Sequence, residues 1–407
     1  MPEVVIGVDT RESGPWIASE LAAGLSAEGV GAHYAGLIST PGVAYLTRTG
    51  HFVAGIMVSA SHNPFQDNGI KVFDHSGYKL PDSVEHELEQ SILQRNEKAS
   101  EAAAALVVDQ RLDDNYLEFL LSAFPRRLDG VKVCLDCGNG AVSRLGPQLF
   151  SRLGATVDAI HVSPNGRNIN LNCGALHTEE LQRRVVEAGA AAGFAFDGDA
   201  DRCIAVAASG KVVDGDALML LCAKHLQARG RLASNGAPPL VVTTVMSNLG
   251  LEKALTASGI GMVRTQVGDK YVLEEMIRRN ALLGGEQSGH MIFLDSATTG
   301  DGLLTALQVM DAMAESGRTL DGLAADMDVF PQQLLNIRVK ERKPLDQMPA
   351  LLQAVEEAEG SLGAAGRVVV RFSGTEPLLR IMVEAQTQNA VDRWVGHISA
   401  AANAELE

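Results

Sequence analysis

Short β-branched runs alternate with amphipathic stretches through the first 330 residues, and this alternation commits the chain to stacked layers of sheet and helix. The run "VVIGVD" is followed by a turn and an amphipathic stretch from Pro15 to Ala27, and "VGAHYAGLI", "STPGVAYLTRTG" and "FVAGIMVS" continue the pattern. Residues Ser83 to Ala105 read as a helix that is polar on one face. A fresh unit begins near Asp113, with "NYLEFLLSAF" as helix and "GVKVCLD" as strand, and another near Val213. From Pro331 the order becomes strand, helix, strand, strand, helix, with no long parallel run. The expectation is an α/β fold of three related mixed α/β domains around a cleft (1–112, 113–212 and 213–330). A smaller C-terminal α+β domain (331–407) completes it.

A chain of 407 residues is too long for one core, which agrees with several units. The net charge of −16 excludes broad binding to nucleic acid or anionic membrane, which needs an excess of Lys and Arg, but leaves room for a small phosphorylated ligand. The longest apolar runs, such as "LMLLCA", fall far short of a membrane span. The opening "MPEVVIGVDTRESG" lacks the basic stretch of a signal peptide, and five cysteines make no disulfide framework, so a cytoplasmic, reduced protein is expected. Cys134 and Cys137 form a C-x-x-C, but three positions apart on a strand they face opposite ways and read as structural. Gly138 and Gly140, after the same strand, read as a tight turn rather than a dinucleotide site, because Ser143 stands where a third glycine belongs.

Four loops carry chemistry. In "SASHNPFQDNGIK", Pro64 biases Asn63 away from helix and "DNG" marks a turn, which leaves Ser61 on a loop at a strand's end. Alone, that is as consistent with ordinary turn chemistry as with a reactive serine. In "DGDADR", Asp197, Asp199 and Asp201 recur every second residue, so an extended loop would turn them to one side. Three such carboxylates repel unless a cation lies between them, and Mg²⁺ is favoured where phosphate supplies a further ligand. A calcium loop is ruled out by Arg202 where glycine is needed and Ala208 where glutamate is. A solvated acidic loop is the plain alternative, against which the apolar flanks argue. In "GEQSGH", alternation puts Glu286, Ser288 and His290 on one face, suited to a polyhydroxylated or amino sugar, with a polar hairpin as the equal alternative. In "RFSGTEPLLR", Ser373, Gly374 and Thr375 lie between Arg371 and Arg380 and offer hydroxyls, backbone N–H groups and guanidinium to an anion. A serine, a divalent-cation site, a sugar-reading face and a phosphate cradle together suggest phosphoryl transfer through a phosphoserine.

In order and separation, "SASHNP", "DGDADR", "GEQSGH" and "RFSGTEP" resemble the α-D-phosphohexomutase superfamily. The stretches "TPGVAYLTRT", "PNGRNIN", "VMSNLG", "VGDKYV" and "TTGDG" are most similar to its bacterial phosphoglucosamine mutase family, over the span from about Val4 to the C-terminus. The resemblance implies that Ser61 carries the phosphoryl group and that its phosphate, with Asp197, Asp199 and Asp201, holds one Mg²⁺ per active site. It further implies that Arg202 neutralises the transferring group, that Lys71 and His290 move protons, and that Glu286 and Ser288 bind sugar hydroxyls. Arg371, Ser373, Gly374 and Thr375 would hold the phosphate that is not being transferred. The implied reaction interconverts glucosamine 6-phosphate and glucosamine 1-phosphate through a hexosamine 1,6-bisphosphate, with a hexosamine or hexose 1,6-bisphosphate as primer. Its product would feed UDP-N-acetylglucosamine and cell-wall synthesis. The implied partner is a small sugar phosphate, not nucleic acid or membrane, and a homodimer is left open.

Members of the superfamily usually begin with an extra strand and helix whose glycine-rich segment, near "GTDGIRG", ends in an arginine close to the phosphoserine. This sequence opens at what resembles the second strand, so the expectation is either an incomplete record of the gene or a first domain that lacks that edge element and its arginine. The rival readings are a phosphomannomutase or phosphoglucomutase, a phosphatase using Asp197 as nucleophile, and an inactive sugar-phosphate-binding protein.

Overall fold

Three of the four sheets follow one plan. The structure, a computed structural model, describes residues 1–94, 106–233, 236–340, 343–373 and 377–406. The first unit contains β1 (Glu3–Val8), α1 (Gly14–Ala27), β2 (Gly31–Leu37), α2 (Thr40–Thr49), β3 (Ala54–Val58), β4 (Ile70–Asp74) and α3 (Asp82–Gln94). Its sheet has the order β2-β1-β3-β4, with β1 parallel to both neighbours and β4 antiparallel to β3. The part of the expected Ser83–Ala105 helix beyond Gln94 lies outside the described residues.

The second unit runs α4 (Gln110–Ala123), β5 (Lys132–Asp136), α5 (Leu145–Arg152), β6 (Thr156–Ile160), α6 (Glu179–Ala188), β7 (Ala192–Phe196), β8 (Cys203–Ala207) and β9 (Val212–Val213). Its order, β6-β5-β7-β8-β9, repeats the plan with one more strand. The third unit runs α7 (Gly215–Ala228), β10 (Leu240–Thr244), α8 (Leu249–Ala257), β11 (Gly261–Thr265), α9 (Asp269–Arg279), β12 (Leu283–Gly285), β13 (Met291–Phe293), α10 (Gly302–Ser316) and α11 (Leu320–Ala324). Its order is β11-β10-β12-β13, again with an antiparallel last strand. The fourth unit, β14 (Gln332–Arg338), α12 (Pro349–Leu362), β15 (Gly366–Phe372), β16 (Leu378–Ala385) and α13 (Gln388–Leu406), is an antiparallel sheet of order β14-β16-β15. The expected fold class is therefore the one observed.

Local chemistry accounts for the element ends. The side chains of Ser39, Asp214, Asn248 and Asp301 accept from backbone N–H groups in the first turns of α2, α7, α8 and α10, the usual N-cap arrangement. The strands "AGFAF" and "CIAVA" of β7 and β8 are buried at every position, as strands covered on both faces must be. One large core runs from Leu120 and Phe150 of the second unit to Met291 and Leu304 of the third, so these two units share their interior. The fourth unit keeps its own core, in which Leu379, Ile381 and Val383 pack against α12 and α13. All five cysteines are buried and free, with Cys134 and Cys137 in separate cores, as their spacing predicts.

Candidate active site

Each of the first three units ends its parallel strands with a hairpin, and the hairpin loop holds one of the motifs. Residues 59–69 join β3 to β4, residues 197–202 join β7 to β8, and residues 286–290 join β12 to β13. The chemistry thus sits at the carboxyl ends of strands, where open α/β sheets place their ligands.

Ser61 adopts a left-handed backbone with φ of 50°, a conformation that costs a serine about 1 kcal/mol or more. Arg11 holds it there. This fully buried side chain donates from Nε to Asp9 Oδ2 at 2.8 Å and from Nη2 to the carbonyls of Ser61 and Asn63, both at 2.9 Å. Its Nη1 donates to the carbonyls of Pro64 and Asp67. Asn170, from the second unit, also donates to the Ser61 carbonyl at 2.9 Å. With the loop carbonyls drawn inward, the Ser61 hydroxyl faces outward and donates to Asp197 Oδ2 at 2.6 Å. His62 lies beside it, Nδ1 at 3.4 Å from Ser61 Oγ.

The carboxylates converge, though not along an extended loop. Ala200, at φ 55°, donates its N–H to the Asp197 carbonyl at 3.0 Å, so the chain turns back and brings the three side chains together. Oxygens of Asp197, Asp199 and Asp201 lie within 4.8 Å of one another. All three residues are buried, and Asp199 Oδ1 and Asp201 Oδ1 have no hydrogen-bond partner among the described residues. Burial, together with Asp201 and Asp199, pushes the Asp197 carboxyl well above its usual range. Lys71 Nζ approaches Asp199 Oδ2 at 2.6 Å and Asp201 Oδ2 at 3.3 Å. Burial opposes its charge, yet these carboxylates hold the ammonium above its usual value. Buried acidic oxygens without partners fit a divalent cation that takes hard oxygen ligands. The turn depends on close backbone approach: a Cβ on Gly140 would sit 2.4 Å from the Gly198 carbonyl oxygen.

The third loop is a tight glycine turn between two short strands, so its side chains are placed by the turn and not by strand alternation. Gly289, at φ 91°, donates to the Glu286 carbonyl at 3.0 Å, and Glu286 N–H donates to the His290 carbonyl at 2.9 Å. Glu286 Oε1 accepts from Gly268 N–H at 3.1 Å. Ser288 Oγ and both ring nitrogens of His290 are buried without a hydrogen-bond partner among the described residues. His290 pairs with Arg202 through the backbone, and its Nε2 lies 4.0 Å from Asp201 Oδ2 and 3.7 Å from Asp269 Oδ2. Arg202 donates its N–H to Asp197 Oδ1 at 3.1 Å; burial opposes its charge, but Asp197 and Asp201 raise it further.

The fourth motif sits on the hairpin from β15 to β16. Arg371 lies directly opposite Arg380, and burial together with Arg380 lowers the Arg371 guanidinium from its usual value. Like charges facing across strands destabilise a sheet, a cost an anion between them would offset. Ser373 is buried; Gly374 and Thr375 lie outside the described residues.

The sequence matches four descriptions of one family. "Phosphoglucomutase/phosphomannomutase, alpha/beta/alpha domain I" matches residues 1–99, domain II residues 114–210, domain III residues 214–330 and the C-terminal domain residues 334–401. The chain belongs to this family. Among curated family members, the phosphoglucosamine mutase of Solibacter usitatus (strain Ellin6076) is 55% identical over 406 residues, covering 100% of this chain and 90% of that one. That of Koribacter versatilis (strain Ellin345) is 49% identical over 418 residues, covering 99% and 88%. The fold is similar to a phosphoglucomutase/phosphomannomutase family protein from Burkholderia thailandensis, with a TM-score of 0.81 at 23% identity over 99% of this chain and 89% of that one. It is also similar to Aspergillus fumigatus N-acetylphosphoglucosamine mutase in complex with GlcNAc-6P and magnesium, with a TM-score of 0.70 at 20% identity over 97% and 94%.

In this family member several site residues escape a reading of the sequence alone. Arg11 and Asp9 look like surface charges in "VDTRESG", and their partners lie about fifty positions away. Thr40, at the start of α2, donates its hydroxyl to Asp199 Oδ2 and its N–H to the Asp199 carbonyl. Lys79 pairs with Asp269 beside His290, in stretches where neither residue type is unusual.

Proposed function

We propose that the chain interconverts glucosamine 6-phosphate and glucosamine 1-phosphate. The observation that carries this is the Ser61 hydroxyl, on a loop pinned by Arg11 and 2.6 Å from Asp197 of the buried carboxylate triad. The likeness to relatives named phosphoglucosamine mutase supports the choice of sugar. Four units are assigned the expected boundaries 1–112, 113–212, 213–330 and 331–407, with the start of α4 at Gln110 and the end of β9 at Val213 counted in the second unit, and with one loop of the site from each. We assign the protein to the cytoplasm; no helix among the described residues is long and apolar enough to cross a membrane.

In the proposed cycle, phosphoserine 61 gives its phosphoryl group to the free hydroxyl of glucosamine 6-phosphate. The sugar oxygen forms the new P–O bond as the bond to Ser61 Oγ breaks. The hydroxyl proton passes to a base and Ser61 Oγ takes up a proton, leaving a neutral serine and a 1,6-bisphosphate. The bisphosphate turns over, and Ser61 Oγ gives its proton to a base as it forms a P–O bond to the 6-phosphoryl group. The bond from that phosphorus to the sugar 6-oxygen breaks, and that oxygen takes up a proton, which releases glucosamine 1-phosphate and restores the phosphoserine. Asp197, Asp199 and Asp201, with an oxygen of the Ser61 phosphate, would hold Mg²⁺, which stabilises charge on the transferring group. Arg202 acts on the same charge. His290, whose ring nitrogens have no hydrogen-bond partner among the described residues, suits proton transfer; Lys71, held as an ammonium, suits donation rather than abstraction. Glu286 and Ser288 would read sugar hydroxyls, while Arg371, Ser373, Gly374 and Thr375 would grip whichever phosphate is idle.

Turnover of glucosamine 6-phosphate, with Mg²⁺ and a hexose 1,6-bisphosphate primer, is to be measured against glucose and mannose 6-phosphates. The expected result is the highest kcat/KM for glucosamine 6-phosphate. A preference for either hexose would move the activity to a phosphoglucomutase or phosphomannomutase, and binding without turnover would leave a sugar-phosphate-binding protein.

A further inference from the structure

The fourth unit has a core of its own, yet all three of its strands reach into one loop of the third unit. That loop, residues 245–248, joins β10 to α8, whose first residue is Leu249. From β14, Gln332 Nε2 donates to the Met246 carbonyl at 3.1 Å. From β15, Arg367 donates through Nη1 to the Val245 carbonyl at 2.7 Å and through Nη2 to the Ser247 carbonyl at 2.5 Å. From β16, Glu384 Oε1 accepts from Leu249 N–H at 2.8 Å, at the first residue of α8. Arg367 and Glu384 are cross-strand partners, Nε to Oε2 at 2.6 Å, and Glu384 is fully buried. The loop is fixed on its other side by Asp216, which accepts from Asn248 N–H at 2.8 Å.

A guanidinium bonded at once to a carboxylate and two carbonyls tolerates little rotation, because each lost bond leaves a buried polar group unpaired. The negative carboxylate at the start of α8 also complements that helix's dipole. Arg371 stands four residues from Arg367 on β15, and Arg380 four residues from Glu384 on β16, so all four side chains share one sheet face. Four residues of strand span roughly 13 Å. The Arg367–Glu384 pair and the two facing arginines are therefore opposite ends of one rigid surface.

We propose that Arg367 and Glu384 are positioning residues: their grip on residues 245–249 sets where the Arg371–Ser373 end of the sheet stands over the cleft. The hydrogen bonds of both residues go to each other and to residues 245, 247 and 249 of the third unit. The inference rests on the reading of Arg371 and Ser373 as a phosphate grip.

The test combines a distance with a rate. Spin labels on Ala257→Cys in α8 and Ala400→Cys in α13 report the separation of the third and fourth units in the full chain, and kinetics are run on the unlabelled protein. Arg367→Met is expected to broaden the distance distribution and to lower kcat/KM for the sugar phosphate by roughly tenfold or more, chiefly through KM. Glu384→Gln, which keeps an acceptor for Leu249 N–H, is expected to shift both readouts in the same direction by less, and it carries the test if Arg367→Met does not fold. An unchanged distribution, or an unchanged kcat/KM beside a broadened one, would overturn the assignment. Arg371→Ala separates the two claims: if it leaves KM unaltered, the phosphate grip is wrong, while the distance measurement still tests the pin.

Discussion

Ser61 and Asp197 stand 136 positions apart, in different units, yet the serine hydroxyl donates to the aspartate at 2.6 Å. The contact joins the loop that would carry a phosphoryl group to the loop that would hold its counter-ion. Both ends are prepared in advance. Arg11 pins the backbone of the Ser61 loop, and burial among like charges leaves the Asp197 carboxyl poised for a cation or a proton.

The Arg11 arrangement should be expensive to lose. Arg11→Met leaves Asp9 buried without its cation and strips the loop carbonyls of their donors. Breaking a buried pair from one side costs about 3–5 kcal/mol, and denaturant unfolding should show a loss of that order together with loss of turnover. Arg11→Lys should recover little, since an ammonium cannot reproduce the planar fork. Recovery of native stability by lysine would show that charge alone holds the loop.

Divalent metal should stabilise the fold through the aspartate triad. Titrating Mg²⁺ should raise Tm progressively with the logarithm of its concentration above Kd, the added stability reaching roughly 2.7 kcal/mol at about a hundredfold excess over Kd. Asp199→Asn and Asp201→Asn should each lose most of that gain, and a chelator should abolish it in the native chain. Should both variants respond to Mg²⁺ like the native chain, the cation binds elsewhere.

Asp216 should make stability fall with rising pH. Burial, with Asp214 adding to it, pushes its carboxyl up from 3.8 to about 7. Between these values the folded chain keeps a proton that the unfolded chain gives up. This contribution is therefore whole below the unfolded value and is lost as pH rises through about 7. The whole effect is on the order of 4 kcal/mol at most. Asp216→Asn should narrow the difference in Tm between mildly acidic and mildly alkaline buffer; an unchanged difference would place the pH dependence on other groups.

The layering of sheet and helix, the change of character at Pro331 and all four loops were legible because each has a local signature. Alternating runs mark strands and helices, and "DGDADR" announces its charge. The way the loops work was less legible. Convergence of Asp197, Asp199 and Asp201 comes from a turn at Ala200 with a left-handed backbone, where alternation had suggested an extended loop. Glu286 and His290 meet across a turn closed at Gly289, again not by alternation. Arg11 left no signal at all, since its partners are distant backbone carbonyls that no side-chain pattern records. The turn at Gly138 and Gly140 read as mere connection, yet Gly140 lies against Gly198 and so borders the loop of the three aspartates.

The most direct measurement is the site of covalent phosphate. The purified chain is to be incubated with a radiolabelled hexose 1,6-bisphosphate and Mg²⁺, and the labelled peptide mapped for the native protein and for Ser61→Ala. The account predicts acid-stable label on Ser61, none in Ser61→Ala, and loss of mutase turnover in that variant. Label on an aspartate such as Asp197, or full turnover by Ser61→Ala, would contradict it.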